Sequence, residues 1–119
     1  MNERAAPLLD LGLIDEIRKI EHASGQKDLF SGFVRKLEGF LAAFSADFSN
    51  LVARGDTVGA VRAAHTLKGT CRQLGALALG DLFAEIEASA KAGEYAQAKA
   101  KFDGSGSLIA ESLAALKKA

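Results

Sequence analysis

The segment Thr57-Val-Gly-Ala-Val-Arg-Ala-Ala-His-Thr-Leu-Lys-Gly-Thr-Cys-Arg-Gln-Leu-Gly75 holds the residues best suited to chemistry. Wound as a helix at ~100° per residue, it puts Ala60, Ala63, Ala64, Leu67, Cys71 and Leu74 on one apolar face. His65 then lies roughly 150° from the centre of that face and points to solvent. Val58, Val61, Arg62, Lys68, Gly69 and Arg72 surround it on the outer side. A solvent-exposed imidazole is largely neutral at neutral pH and can act as a nucleophile. Lys68 and Arg72, one and two helical turns further on, can stabilise negative charge held near the ring. Gly69 sits in a helix interior, where glycine costs ~1 kcal/mol relative to alanine, and so points to something that must come close. Val58 and Val61 offer apolar surface for docking. No carboxylate on the same face of this helix can orient the ring, so the electrophile must arrive already activated. A phosphoryl group carried on a carboxylate fits, because its transfer needs mainly alignment and charge neutralisation. The competing reading is a plain surface histidine.

The elements that must position this segment are helices. Proline occurs once, at Pro7, alanine, leucine, lysine and glutamate dominate, and no stretch alternates like a strand. The fold class is all-α. A short first helix starts near Asp10, which can cap it, carries Leu13, Ile14, Ile17 and Ile20, and ends by Gly25, with His22 placed to meet its last carbonyls. The second covers 28–53, and five of the seven phenylalanines lie on its apolar stripe, which demands a large apolar partner surface. Gly55 and Asp56 stop it and cap the third, which runs over 57–74 up to Gly75. The fourth carries Leu79, Leu82, Phe83, Ile86 and Ala90 and ends at Gly93. The last carries Tyr95, Ala98, Phe102, Ile109, Leu113 and Leu116 and finishes at Lys117 and Lys118; its weak stretch Asp-Gly-Ser-Gly-Ser at 103–107 reads as a kink, or as a place where small residues let a neighbour approach, rather than as a break. Short connections force antiparallel neighbours, so helices two to five form an up-down-up-down four-helix bundle, with the short N-terminal helix covering one end. Residues 1–119 read as a single domain.

With the helix, the bundle and the chain length in place, His65-Thr-Leu-Lys68-Gly69 followed by Gly75 ten residues after the histidine resembles the signature of histidine-containing phosphotransfer (HPt) domains. The similarity extends to the long helix before it, the Gly55-Asp56 break and the helix after it. The resemblance implies a phosphorelay intermediate that accepts a phosphoryl group from the aspartyl-phosphate of one response-regulator receiver domain and hands it to the aspartate of another. It makes His65 the phosphorylated residue, Lys68 the support for phosphohistidine charge, and Gly69 the point of receiver approach. It implies no ATP-dependent kinase activity on this chain; magnesium would be brought by the receiver, and a sensor histidine kinase, hybrid or separate, stands upstream. The family has a small residue where this chain has Arg72, which either biases partner choice or points to solvent.

Composition narrows the alternatives. Fifteen basic residues balance fifteen acidic ones, which opposes nucleic-acid binding. No apolar run is long enough to cross a bilayer, and Glu3, Asp10 and Asp15 stand where a secretory leader needs a basic start, so the chain reads as cytoplasmic. The single Cys71 falls on the core face as an apolar filler, and no Cys/His spacing suits a metal. Glu85 and Glu87 read as solvated surface, with a supporting contact from Glu87 to the third helix as the weaker option. The chain reads as a monomer. A non-catalytic helical adaptor is the alternative function; it would bind a receiver or another partner without acquiring label.

Overall fold

The computed structural model describes residues 7–119, so Glu3 lies outside the described residues. Six helices are present there: α1 (Leu11–Ser24), α2 (Leu29–Ala53), α3 (Thr57–Gln73), α4 (Leu77–Lys91), α5 (Tyr95–Asp103) and α6 (Gly106–Lys118). Their boundaries follow local chemistry. The Asp10 carboxylate accepts from the Leu13 N–H at 3.0 Å, and Asp56 does the same for Gly59 at 2.8 Å, satisfying donors that a helix start leaves orphaned. Asp28 makes no such bond. Its place is taken by Glu21 of α1, whose Oε2 accepts from the Phe30 N–H at 3.0 Å.

α2 packs on α3 and, along its other flank, on α5 and α6; α4 packs on α3 and likewise on α5 and α6. Buried side chains from all six helices join one apolar cluster. At its centre Phe44 of α2 meets Phe83 of α4 edge-on at 5.2 Å and Phe102 of α5 at 4.8 Å. Each such ring taken out of water contributes ~1.5–3 kcal/mol. α1 spans one end. Its approach is tied to the α3–α4 turn by Asp10 N–H to the Gly75 carbonyl (2.8 Å) and by Ala78 N–H to Leu8 (3.3 Å). Further along, Arg18 lies over the Phe30 ring and donates to the Ala119 carbonyl.

Two expectations need correction. The phenylalanines of α2 do not form one buried stripe. Phe30, Val34, Leu37, Leu41, Phe44 and Phe48 are buried, whereas Phe33 and Phe40 stand exposed. Each of the two precedes a buried position by one residue and so lies ~100° round the helix, beyond what the core neighbours can cover. The last helix is broken rather than kinked. α5 ends at Asp103, Ser105 N–H turns back tightly to the Phe102 carbonyl (3.0 Å), and Ser105 Oγ donates to the Lys101 carbonyl (2.6 Å). With Gly104 and Gly106 on either side, the helical state has little to hold it there.

Gly75 is the glycine that the fold itself requires. Its φ is +86°, and a Cβ would come within 2.9 Å of Ile14 Cγ1 where α1 docks. Gly75→Ala should lower unfolding stability by about 1–2 kcal/mol, read by urea denaturation; an unchanged midpoint would contradict the tight docking of α1.

Candidate functional site

His65 is placed by its neighbours. Ala64 and Leu67 are buried against the bundle, which fixes the roll of α3 and turns position 65 outward. The imidazole side chain is 64% exposed, as its helical position required. It is not free-standing, however. Nδ1 lies 3.0 Å from Oε2 of Glu87, which reaches across from α4. A carboxylate can only accept, so Nδ1 donates this bond, and in the neutral ring the lone pair is then on Nε2.

Glu87 corrects the reading of that residue as solvated surface. Its side chain is 5% exposed and carries three partners: His65, Lys68 Nζ at 2.6 Å from Oε1, and Lys91 Nζ at 3.2 Å from Oε2. Burial works against the charge, but hydrogen bonds from Lys68, His65 and Lys91 more than offset it and bring the carboxyl down to about 2. The carboxylate missing from the face of α3 is therefore supplied by the neighbouring helix. The sequence did carry a sign of it: Glu87 stands four residues after Phe83 and three before Ala90, inside the apolar stripe of α4. A charged residue in such a stripe demands buried partners. Glu85, on the other side of the helix, is exposed and pairs with Lys101 at 3.7 Å.

The remaining predicted residues divide. Lys68 is beside the histidine but held on Glu87, with its side chain only 22% exposed. Gly69 is open: a Cβ there would meet nothing within 4 Å, so no contact inside the chain calls for glycine. Val58 and Arg62 are exposed, while Val61 is half-buried and packs against the core, which corrects its reading as outer apolar surface. Arg72 leans on α4. A Cβ on Gly80 would come within 2.8 Å of its Cγ, and its guanidinium lies 3.7 Å from Asp81. Phe40 escaped the sequence reading as a site residue. It shares a shallow groove between α2 and α3 with Arg62, Ala63 and Thr66, next to His65 along α3.

Cys71 is buried, and burial pushes its thiol up to about 12, so it is a filler and no nucleophile. The carbonyl of His22 accepts from the Gly25 N–H at 3.4 Å, in the left-handed turn that ends α1. Among the described residues no group of three or more His, Cys, Asp or Glu is arranged to hold a metal, and no helix is long and apolar enough to cross a membrane.

The depressed carboxyl of Glu87 has a thermodynamic consequence. Its contribution to stability is complete above the ordinary value of 4.5 and is lost as pH falls towards about 2. Between about pH 5 and pH 2, Glu87→Gln should therefore lose less stability than the unaltered chain, measured by denaturant titration at each pH. Parallel curves would mean that the carboxylate is not held by its three partners.

The Hpt domain family model matches residues 28–119, beginning one residue before α2 and leaving α1 outside. No curated protein and no solved structure matches the chain. The match spans the helix that bears the exposed imidazole and the helix that bears its buried carboxylate. This chain belongs to the Hpt domain family, the histidine phosphotransfer domains of phosphorelays.

Proposed function

We propose that His65 is the phosphoryl carrier, accepting the group on Nε2 from the aspartyl-phosphate of one receiver domain and passing it to the aspartate of another. The observation that carries this reading is the division of labour on one ring. Nδ1 is committed to a buried carboxylate at 3.0 Å, and the rest of the imidazole stands in solvent. In the forward step the Nε2 lone pair forms the N–P bond while the P–O bond to the donor aspartate breaks, its electron pair leaving on that carboxylate. The Nδ1 proton stays between the ring and Glu87, whose charge stabilises the cationic character the ring acquires. In the return step the acceptor aspartate attacks phosphorus and the N–P pair goes back to Nε2. Lys68 neutralises phosphoryl charge, and magnesium belongs to the receiver.

The receiver lands on the exposed side of α3. Gly69 leaves a gap in the side-chain wall, Val58 and Arg62 flank the histidine, and Phe40 supplies apolar surface across the groove from α2. Arg72, anchored beside Asp81, stands at the edge of that surface, where it biases the choice among receivers. A sensor histidine kinase supplies phosphate to the first receiver, and this chain needs no nucleotide of its own. Residues 1–119 act as one domain, and α2, α3, α4 and the α5–α6 pair run antiparallel. That topology is supported by α1, which touches the start of α2, the α3–α4 turn and Ala119 at the end of α6.

Incubation with a phosphorylated receiver should place acid-labile label on the chain, and His65→Gln should abolish it while leaving the melting temperature nearly unchanged. Binding without label would favour the adaptor reading. Gly69→Leu should stabilise the isolated chain by about 0.5–1 kcal/mol, since nothing occupies the space, yet impair transfer from the receiver. Unimpaired transfer would remove the close-approach role.

A further inference from the structure

Glu87 carries more cations than its own charge needs. Lys68 holds Oε1 at 2.6 Å, and Lys91, one turn further along α4, holds Oε2 at 3.2 Å. The two lysines differ in setting. Lys68 is largely sheltered, at 22% exposed, whereas Lys91 reaches in from solvent, at 63% exposed. Phosphorylation changes the balance of charge at this point. A phosphoryl group on Nε2 adds three strong acceptor oxygens, bearing roughly −1.5 to −2 charge, beside a carboxylate that is already buried. Lys68 cannot serve the phosphoryl group in full while its ammonium is bound to Glu87, and leaving Glu87 without a cation in so enclosed a place is unfavourable.

We propose that Lys91 is the standby counter-ion of the phosphorylated state: as Lys68 turns from Glu87 to the phosphoryl group, Lys91 keeps the Glu87 carboxylate paired and the bond to His65 Nδ1 intact. This rests on the reading of His65 as the carrier and adds to it a residue outside the His-x-x-Lys-Gly segment. Lys91 touches neither the phosphoryl group nor the reacting nitrogen; it is a positioning residue that acts through Glu87. Its sign follows from charge. Phosphorylation adds negative charge to the site, so removal of a cation from Glu87 disfavours the loaded form more than the empty one.

The test loads the full chain with phosphoramidate, whose P–N bond breaks with release of ammonia as the Nε2–P bond forms, and measures the steady-state fraction of acid-labile phosphate. Lys91→Met should lower that fraction by about two- to fivefold, the range expected for a partly exposed ion pair, and Lys91→Arg should restore it. The melting temperature of the unloaded Lys91→Met chain should barely move. In a Glu87→Gln background Lys91→Met should have no further effect. An equal loss in that background would mean that Lys91 merely attracts the anionic donor, and it would overturn the proposal. So would equal loading of Lys91→Met and the unaltered chain. Failure of the unaltered chain to load at His65 would instead remove the carrier reading, and the standby role with it.

Discussion

A single buried carboxylate organises the functional face of this chain. Glu87 lies in the apolar stripe of α4, where an ionised group survives only with close partners. It takes them from two helices: His65 and Lys68 from α3, Lys91 from its own. The consequence for His65 is that Nδ1 is held by a hydrogen bond that sets the direction of the ring, while the side chain stays largely exposed. Packing therefore does chemical work here, because α3 and α4 must sit in register for the carboxylate to meet the ring. The extensive contact between these two helices and the bulk of Phe83 and Ile86 next to Glu87 hold that register.

The rest of the fold serves this pair of helices. α2 lines the other side of α3 and contributes the central Phe44, whose contacts with Phe83 and Phe102 join α2, α4 and α5. α1 secures the far turn of the α3–α4 hairpin through Asp10 and Gly75 and caps the start of α2 with Glu21. The break between α5 and α6 falls on this outer pair and leaves the α3–α4 contact untouched.

Much of this was legible in the sequence because it rests on local rules. Asp10 and Asp56 announce two helix starts, and Gly25, Gly55, Gly75 and Gly93, all at positive φ, announce the ends. The outward direction of His65 followed from helical rotation alone. The legible part ended where two elements meet. The partner of His65 lies 22 residues away in sequence, and no periodicity within α3 could supply it. Glu87 was visible as a charge in an apolar stripe, but which residues would neutralise it depended on how α3 rolls against α4. The exposure of Phe33 and Phe40 is hidden from the sequence for the same reason: hydrophobic spacing shows that a helix has an apolar side, while the width of that side left uncovered is decided by its neighbours. At 103–107 the small residues mark a weak helical stretch, and whether it bends or breaks is not decided by their types alone; in the fold it separates α5 from α6, with Ser105 Oγ donating to the Lys101 carbonyl.

The span between His65 and Glu87 has a bearing on quality control. The imidazole's orientation is borrowed from a different helix, so it exists only in a correctly assembled molecule. A chain damaged enough for α4 to drift would keep its histidine in water yet lose the anchor that aims it. On the proposed carrier reading, such a copy would lose the aimed ring that transfer requires while still exposing its imidazole.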